Sequence, residues 1–120
     1  MVYRVDVSYP ALADIDSALS WIRRRSDKAA ESWLRALVKA IGSLERMPNR
    51  CPIAPETRSF VIEIRYLIFS GGAVQQRVIF GVSVDENSGK GIVTIYRVRN
   101  SRQLPLSDAD IFGEYHEKDS

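Results

Sequence analysis

The chain has few of the residues that metal sites, disulfides and membrane spans require. Its 120 residues include one cysteine, Cys51, and one histidine, His116. A single thiol cannot form an internal disulfide and is typical of a reducing cytosol, and one cysteine with one histidine cannot assemble a zinc site of the usual kind. Long apolar runs are missing too, including the kind that begins secreted proteins. These scarcities predict a cytoplasmic protein of one domain, without metal, cofactor or membrane span.

The net charge of +2 conceals an uneven distribution along the chain. Residues 1–106 carry 16 Lys and Arg against ten Asp and Glu, whereas residues 107–120 carry one against five. Arginine provides 13 of the 17 basic residues, and its planar guanidinium suits phosphate oxygens. We therefore expect a basic body with an acidic tail, which modestly favours a nucleic acid or an acidic protein as partner.

Two amphipathic helices are predicted after a short first strand at Tyr3–Val7. Ser8 and Pro10 mark the start of the first helix, which ends in the arginines at 23–25. Ser26 and Asp27 cap the second helix, which Met47 and Pro48 end. The apolar stripes are Leu12, Ile15, Leu19 and Ile22 in the first helix, and Ala30, Trp33, Leu34, Leu37, Val38, Ile41 and Leu44 in the second.

Three further strands are predicted at Val61–Phe69, Gln76–Val84 and Ile92–Arg99, the first ending at the hairpin signal Ser70-Gly71-Gly72. The order β-α-α-β-β-β predicts an α+β fold in which an αα-hairpin packs on one face of a mainly antiparallel four-stranded sheet. This domain spans residues 1–106. The acidic C-terminal tail 107–120 has at most a short helix, at Asp108–Tyr115.

Side-chain alternation predicts which residues of the last three strands face the helices. The even positions are mostly apolar and are assigned to the helical side: Ile62, Ile64, Tyr66, Ile68, Val78, Phe80, Val82, Ile92, Thr94, Tyr96 and Val98. The odd positions Glu63, Arg65, Arg77, Arg97 and Arg99 are assigned to the other side. Four arginines on one face suit phosphate oxygens and the charge of a phosphoryl transition state. The alternative is an ordinary solvated face of a one-sided sheet, and a β-bulge would shift the parity.

Several segments resemble one known family when they are taken in order. These segments are Ala29–Leu34, Met47–Glu56, Ile64–Leu67, Gln76–Phe80 and Ile95–Arg102. Together with the β-α-α-β-β-β order, they resemble the RelE/ParE superfamily over about residues 3–104. Its members are toxins of bacterial type II toxin–antitoxin modules, often called plasmid stabilisation proteins. The resemblance implies a cognate antitoxin as partner in a toxin–antitoxin hetero-oligomer.

Two activities are known in this superfamily. RelE-like members cleave mRNA on the ribosome without metal, through the 2′-hydroxyl, and ParE-like members poison DNA gyrase. The arginines favour the first activity, so the sequence predicts a metal-independent endoribonuclease (an mRNA interferase) that inhibits translation. The long helical hairpin and the lack of two RelE lysines leave a ParE-like gyrase poison as the alternative. A degenerate, non-toxic binding module is a second alternative.

The resemblance also suggests site residues. Arg77 matches the arginine that contacts the scissile phosphate in RelE-like members, and Arg99 or Arg97 matches the arginine at the end of the last strand. The two RelE lysines fall at Val61 and Glu63, a histidine of many relatives is Asn100 here, and the RelE C-terminal tyrosine has only a loose counterpart in Tyr115. Because arginine stays protonated, Glu63 is the predicted base. The predicted catalytic residues are Arg77, Arg99, Arg65 and Glu63, and the predicted substrate-binding residues are Arg97, Asn100 and Arg102.

Overall fold

The elements of the chain follow the predicted order. A computed structural model describes residues 2–55, 57, 63–70 and 75–100. The helices and strands are β1 (Arg4–Val7), α1 (Tyr9–Arg23), α2 (Asp27–Gly42), β2 (Arg65–Ser70), β3 (Gln75–Val84) and β4 (Gly91–Asn100). Two 3₁₀ turns, Ser43–Glu45 and Pro48–Arg50, lie between α2 and β2. The predicted α+β class and the β-α-α-β-β-β order are confirmed.

The four strands form one mixed sheet in the order β1-β4-β3-β2. Strand β1 runs parallel to β4, and the two other neighbouring pairs are antiparallel. An isolated bridge joins Ile53 to Arg65 at the outer edge of β2. The sheet is therefore mainly antiparallel, as predicted, and the segment after the second 3₁₀ turn lies along its β2 edge.

Both helices begin at the predicted caps. The Ser8 hydroxyl accepts a hydrogen bond from the Ala11 amide at 3.2 Å, and the Ser26 hydroxyl accepts one from the Ala29 amide at 3.1 Å. Each serine thus satisfies an amide that the first helical turn leaves without a backbone partner. The end of α2 differs from the prediction, because the chain tightens into a 3₁₀ turn after Gly42 instead of continuing to Met47.

A hydrophobic core lies between the helical hairpin and one face of the sheet. Its buried residues are Ala11, Leu19, Ala30, Trp33, Leu37, Leu44, Cys51, Phe69, Val78, Phe80, Val93, Ile95 and Val98. Two predicted stripe residues are wrong, because Leu12 and Val38 are 45 % and 62 % exposed. Ala11 takes the core position predicted for Leu12, whereas the predictions for Ile15, Leu19 and Ile22 are confirmed.

Strand parity differs from the prediction in two strands. Leu67 pairs with Val78 across β2 and β3, so odd residues of β2 share the helical face with even residues of β3. A β-bulge in β4 makes Ile79 pair with Arg97 but Phe80 pair with Ile95, so parity also changes within that strand. The prediction is confirmed for Val78, Phe80, Val82 and Val98, which belong to the main core or pack against it. It is wrong for Ile64, Tyr66, Ile68, Ile92, Thr94 and Tyr96.

A second, smaller cluster covers part of the opposite face of the sheet. It consists of Ala54, Ile64 and Ile79, with Tyr66 and Tyr96 packed against them. Thr57 closes this cluster, because its hydroxyl accepts from the Ile64 amide at 2.9 Å and donates to the Ile64 carbonyl at 2.8 Å. The face that was predicted to be open and polar is therefore partly apolar and covered.

Some predictions fall outside the described residues. These are the positions Val61 and Ile62, the glycines of the predicted hairpin turn, Arg102, and the helix at Asp108–Tyr115. No helix in the described part of the chain combines the length and the apolar character needed to cross a membrane.

Candidate functional site

Two of the predicted catalytic arginines lie side by side on the sheet face that is turned away from the helices. Arg77 on β3 pairs directly with Arg99 on β4, and across the other edge of β3 it pairs with Ile68 on β2. The Arg77 guanidinium lies 5.9 Å from the centre of the Tyr66 ring. Ile68 is 48 % exposed. We call Arg77, Arg99, Tyr66 and Ile68 the arginine patch.

The arginine patch suits an anion that also offers apolar surface. Cross-strand neighbours on one face have Cβ atoms about 5 Å apart, so the side chains of Arg77 and Arg99 start from adjacent points on this face. A phosphate or a carboxylate placed between them would accept hydrogen bonds from both. The adjoining tyrosine ring and isoleucine side chain offer contacts to the apolar part of such a partner.

Arg65 lies elsewhere, and its predicted place on the arginine face is wrong. The register of β2 places it on the side of Leu67 and Phe69, which pack toward the helices. Its guanidinium donates to the backbone carbonyls of Cys51 at 2.6 Å and Asn49 at 3.2 Å. Its side chain is only 17 % exposed. These contacts indicate that Arg65 anchors the segment after the second 3₁₀ turn to β2.

Glu63, the predicted base, forms an ion pair with Arg65. One carboxylate oxygen lies 2.6 Å from Nη2 of Arg65, while half of the Glu63 side chain remains exposed. The β2 residue opposite Arg77 is Ile68. Arg65 lies three positions before Ile68, which is about 10 Å along a strand. The candidate base is thus held at a different place from the arginine patch.

Arg97 contacts helix α1, so the predicted grouping with Arg77 and Arg99 is wrong for this residue too. Its Nε and Nη2 donate to the two carboxylate oxygens of Asp14 at 2.7 and 2.8 Å. The backbone amide of Val98 also donates to Asp14, at 2.9 Å. The register pairs Arg97 with Ile79, so alternation from Arg99 holds, and the contact with Asp14 is made beside the part of β4 that β1 does not cover. Asp14 is a structural residue that sequence reasoning missed, because its partner is 83 positions away.

Asn100, a predicted substrate-binding residue, ends β4 and pairs with Gln76. It directly follows Arg99 and so lies at the border of the arginine patch. The third predicted substrate-binding residue, Arg102, lies outside the described residues.

A cleft of about 400 Å³ lies beside Glu63 and Arg65. The polar residues that line it are Tyr3, Asn49, Glu63, Arg65, Ser83, Thr94 and Tyr96. Burial raises the pKa of the Tyr96 phenol, so this group is a neutral hydrogen-bond donor at physiological pH. Sequence reasoning missed Tyr96 as a lining residue because it assigned this side chain to the helical face.

The candidate residues therefore form two groups. Glu63 and Arg65 line the cleft, whereas Arg77 and Arg99 belong to the arginine patch. The first group offers a carboxylate that is paired with Arg65, and the second offers two guanidinium groups on neighbouring strands. Among the described residues, no three His, Cys, Asp or Glu side chains come together as metal ligands.

The family comparison agrees with the architecture. The family model described as the ParE toxin of type II toxin–antitoxin systems (parDE) matches residues 5–105. No curated protein matches the chain. The match covers both helices, all of the four strands except Arg4 of β1, and both groups of candidate residues. The resemblance to the RelE/ParE superfamily is thereby confirmed, and the chain belongs to the ParE toxin family of type II toxin–antitoxin systems.

Proposed function

We propose that this toxin poisons DNA gyrase in the cytoplasm and does not cleave mRNA. Family membership makes the chain a toxin with a cognate antitoxin. The ParE-like branch of the superfamily acts on gyrase. This proposal reverses the preference that the arginines alone suggested.

One observation carries the proposal, namely the separation of Glu63 from the arginine patch. Cleavage through a 2′-hydroxyl requires a base near the nucleophile and a cation near the phosphate, both within hydrogen-bond reach of one substrate. Here the Glu63 carboxylate bonds to Arg65. Arg65 lies three residues before Ile68, the β2 residue opposite Arg77, which is about 10 Å along the strand and on the other side of the pleat. Binding to a protein–DNA complex does not require a base and a cation to lie within reach of the same substrate.

The arginine patch then acts as a binding surface. Gyrase with bound DNA is rich in carboxylates and phosphates, and two adjacent guanidinium groups can contact either kind of oxygen. The basic charge of residues 1–106 raises the rate of encounter with such a partner. Bound toxin would hold the cleaved state of the DNA by favouring that conformation over the resealed one.

Purified toxin, gyrase and supercoiled plasmid test the proposal directly. We expect linear DNA to accumulate after denaturation of the enzyme, and we expect intact mRNA in a parallel ribosome assay read by primer extension. Arg77→Ala should lose most of the gyrase effect, whereas Glu63→Gln should keep it. Cut mRNA without trapped gyrase–DNA complexes contradicts the proposal.

Ribosome-dependent mRNA cleavage is the second candidate, and the adjacent Arg77 and Arg99 favour it. Two guanidinium groups beside one phosphate would stabilise the charge of the transition state. Under this function Glu63→Gln slows the cut, and Asn100→His raises it near neutral pH, where histidine can donate a proton. Neither substitution should alter the trapping of gyrase.

The antitoxin provides a third arm of the test. Co-expression with the small open reading frame adjacent to this gene should give a stable hetero-oligomer and relieve growth arrest. High expression of the chain alone without growth arrest, together with no such complex, would indicate the non-toxic binding module.

A further inference from the structure

The turn between α1 and α2 carries three consecutive arginines. Arg23 is the last residue of α1, Arg24 is its C-cap and Arg25 follows, and all three residues are exposed. In the described part of the chain, no carboxylate lies within ion-pair distance of any of them. The negative end of a helix favours cations only within its last turn, and Arg23 is the one arginine in that turn. The fold therefore gives no reason for Arg24 and Arg25.

Trp21 lies beside these arginines with about half of its side chain exposed. The Arg25 guanidinium lies 4.7 Å from the centre of the Trp21 ring. A guanidinium that stacks on a ring keeps the N–H groups at its edge for hydrogen bonds to an anion. We call Trp21, Arg23, Arg24 and Arg25 the hairpin-turn cluster.

A groove of about 400 Å³ adjoins this cluster on the exposed side of α1. Ser17, Ser20 and Asp16 line it together with Trp21 and Arg24. Serine hydroxyls can donate to phosphate oxygens, as arginines do. Asp16 opposes an anion, but residues 16–28 carry four basic residues against two acidic ones, so this part of the chain remains positive.

We propose that the hairpin-turn cluster contacts the phosphate backbone of double-stranded DNA. The contact itself needs only the charges and the exposed ring described above. Its part in poisoning rests on the proposed function, in which the DNA is the segment held by gyrase.

The directions of the three arginines favour DNA over an acidic protein surface. Helical dihedral angles continue through Arg24, with φ −59° and ψ −27°, so successive side chains are rotated by about 100° from one another. Side chains that diverge in this way cannot converge on one carboxylate. Duplex DNA carries one negative charge for about every 1.7 Å of its axis, so each of the diverging guanidinium groups meets a phosphate. The Trp21 ring offers apolar contact to the sugars between them.

DNA binding by the purified full chain tests the proposal without gyrase. Fluorescence anisotropy of a short labelled duplex gives the association constant between about 50 and 200 mM salt. We expect its logarithm to fall linearly with the logarithm of the salt concentration, with a slope of about −0.9 for each phosphate contacted.

A pair of substitutions makes this test specific to the cluster. Arg24→Ser combined with Arg25→Ser, the serine pair, should weaken DNA binding about tenfold and make the salt slope shallower by about 1.8. Arg24→Lys combined with Arg25→Lys should keep the slope, because the two charges remain. Arg35→Ser is the control, since Arg35 is an exposed helical arginine that pairs with Glu31 on α2, and it should leave the binding unchanged.

Tryptophan fluorescence reports contact at the cluster itself. Trp33 is buried, so acrylamide quenches mainly Trp21, and Trp21→Phe identifies that part of the signal. Duplex DNA should lower the quenching constant of the parent chain. The serine pair at the same DNA concentration should show less protection.

Three outcomes overturn the DNA contact. The first is equal affinity and equal salt slope for the parent chain and the serine pair. The second is loss of DNA binding in Arg77→Ser but not in the serine pair, which would assign the contact to the arginine patch. The third is a serine pair that binds DNA-free gyrase less well but the duplex normally, which would indicate an acidic protein surface as partner.

Gyrase trapping separates this contact from the proposed function. If both hold, the serine pair should require a higher toxin concentration for half-maximal trapping of cleaved DNA. A parent chain that binds DNA through the hairpin-turn cluster but traps no gyrase–DNA complex contradicts the gyrase proposal alone.

Discussion

The carboxylate of Asp14 on α1 accepts two hydrogen bonds from the Arg97 guanidinium on β4. The side chains of this pair are 15 % and 17 % exposed, and the Val98 amide donates to the same carboxylate. Ser8 assists nearby, because its hydroxyl donates to the Tyr96 carbonyl at 3.0 Å. Helix α1 and its cap thus provide hydrogen-bond partners for backbone groups of β4 beyond the last residue of β1. These bonds hold the helical layer against the sheet.

Asp14→Ala should destabilise the fold by about 2–4 kcal/mol, because it removes the carboxylate that accepts from a mostly buried guanidinium and from a backbone amide. Asp14→Asn should cost less, since an amide oxygen can still accept from Val98. Urea unfolding at neutral pH measures both values. The neighbouring Asp16→Ala is the control and should change the free energy of unfolding by less than about 0.5 kcal/mol, because Asp16 is exposed. Equal stability of all three variants would contradict a structural role for Asp14.

The two tryptophans offer a matched comparison of core and surface. Trp33 is 3 % exposed and its ring lies 5.8 Å from that of Phe69, whereas Trp21 is 53 % exposed. Trp33→Ala should cost about 3–5 kcal/mol through lost burial and an unfilled cavity. Trp21→Ala should cost less than about 1 kcal/mol, including the loss of its contact with Arg25. Thermal unfolding followed by circular dichroism distinguishes them, and similar melting temperatures would refute the assigned core.

Element order could be predicted from the sequence because caps and periodicity are local signals. Ser8, Ser26 and the apolar stripe of α2 each act within a few residues. Face assignment failed because register is not local. Strand β2 is apolar on both sides, as Tyr66 and Leu67 show, and the bulge at Tyr96 leaves no signal in the sequence. The predicted set of four arginines reduces to the pair Arg77 and Arg99, because Arg65 bonds to backbone carbonyls and Arg97 bonds to Asp14 on α1.

The connection between the 3₁₀ turns contains a strained residue. Met47 has φ +49°, a left-handed conformation that is unfavourable for residues with a side chain, and it is 72 % exposed. Met47→Gly should raise the free energy of unfolding by about 0.5–1 kcal/mol, because it relieves this strain and loses few contacts. Met47→Ala is the control and should give no such gain. Chemical denaturation reports both, and a less stable glycine variant would contradict the prediction.

Arg50 stabilises the same connection by hydrogen bonds. Its Nη1 donates to the carbonyls of Arg46 at 2.8 Å and Met47 at 3.1 Å, and its Nη2 donates to the Ser43 hydroxyl at 3.0 Å. Arg50→Ala should cost about 1 kcal/mol, since these bonds lie at an exposed site where water can replace them. Arg50→Lys should restore only part of this, because an ammonium group lacks the planar fork. Full rescue by lysine in urea unfolding would show that charge alone matters.

The buried thiol of Cys51 should make the free energy of unfolding depend on pH in the alkaline range. Burial raises the pKa of its thiol above the usual 9.0, although Arg50 and Arg65 oppose the shift. Below about pH 9 the thiol is protonated in both the folded and the unfolded chain, so it contributes no pH dependence. Above that value the unfolded chain ionises first, and the free energy of unfolding should fall as pH rises toward the folded-state pKa. Cys51→Ser should flatten this part of the profile. An unchanged alkaline slope in that variant would assign the effect to another group, such as Tyr96, whose pKa burial also raises.

We expect Arg77 to be needed for toxicity but not for folding. Its side chain contacts the Tyr66 ring and lies beside Arg99 on the sheet face turned away from the helices, so little core packing depends on it. Arg77→Ala should abolish growth arrest on induction and lower the free energy of unfolding by less than about 1 kcal/mol. Arg4→Ala is the control, because it also removes one exposed arginine from a strand, and its ion pair with Asp6 lies on β1, away from the patch. Growth curves after induction, combined with urea unfolding of the purified chains, measure the two effects separately. If Arg77→Ala remains as toxic as the parent chain at equal expression, the arginine patch has no part in the action of the toxin.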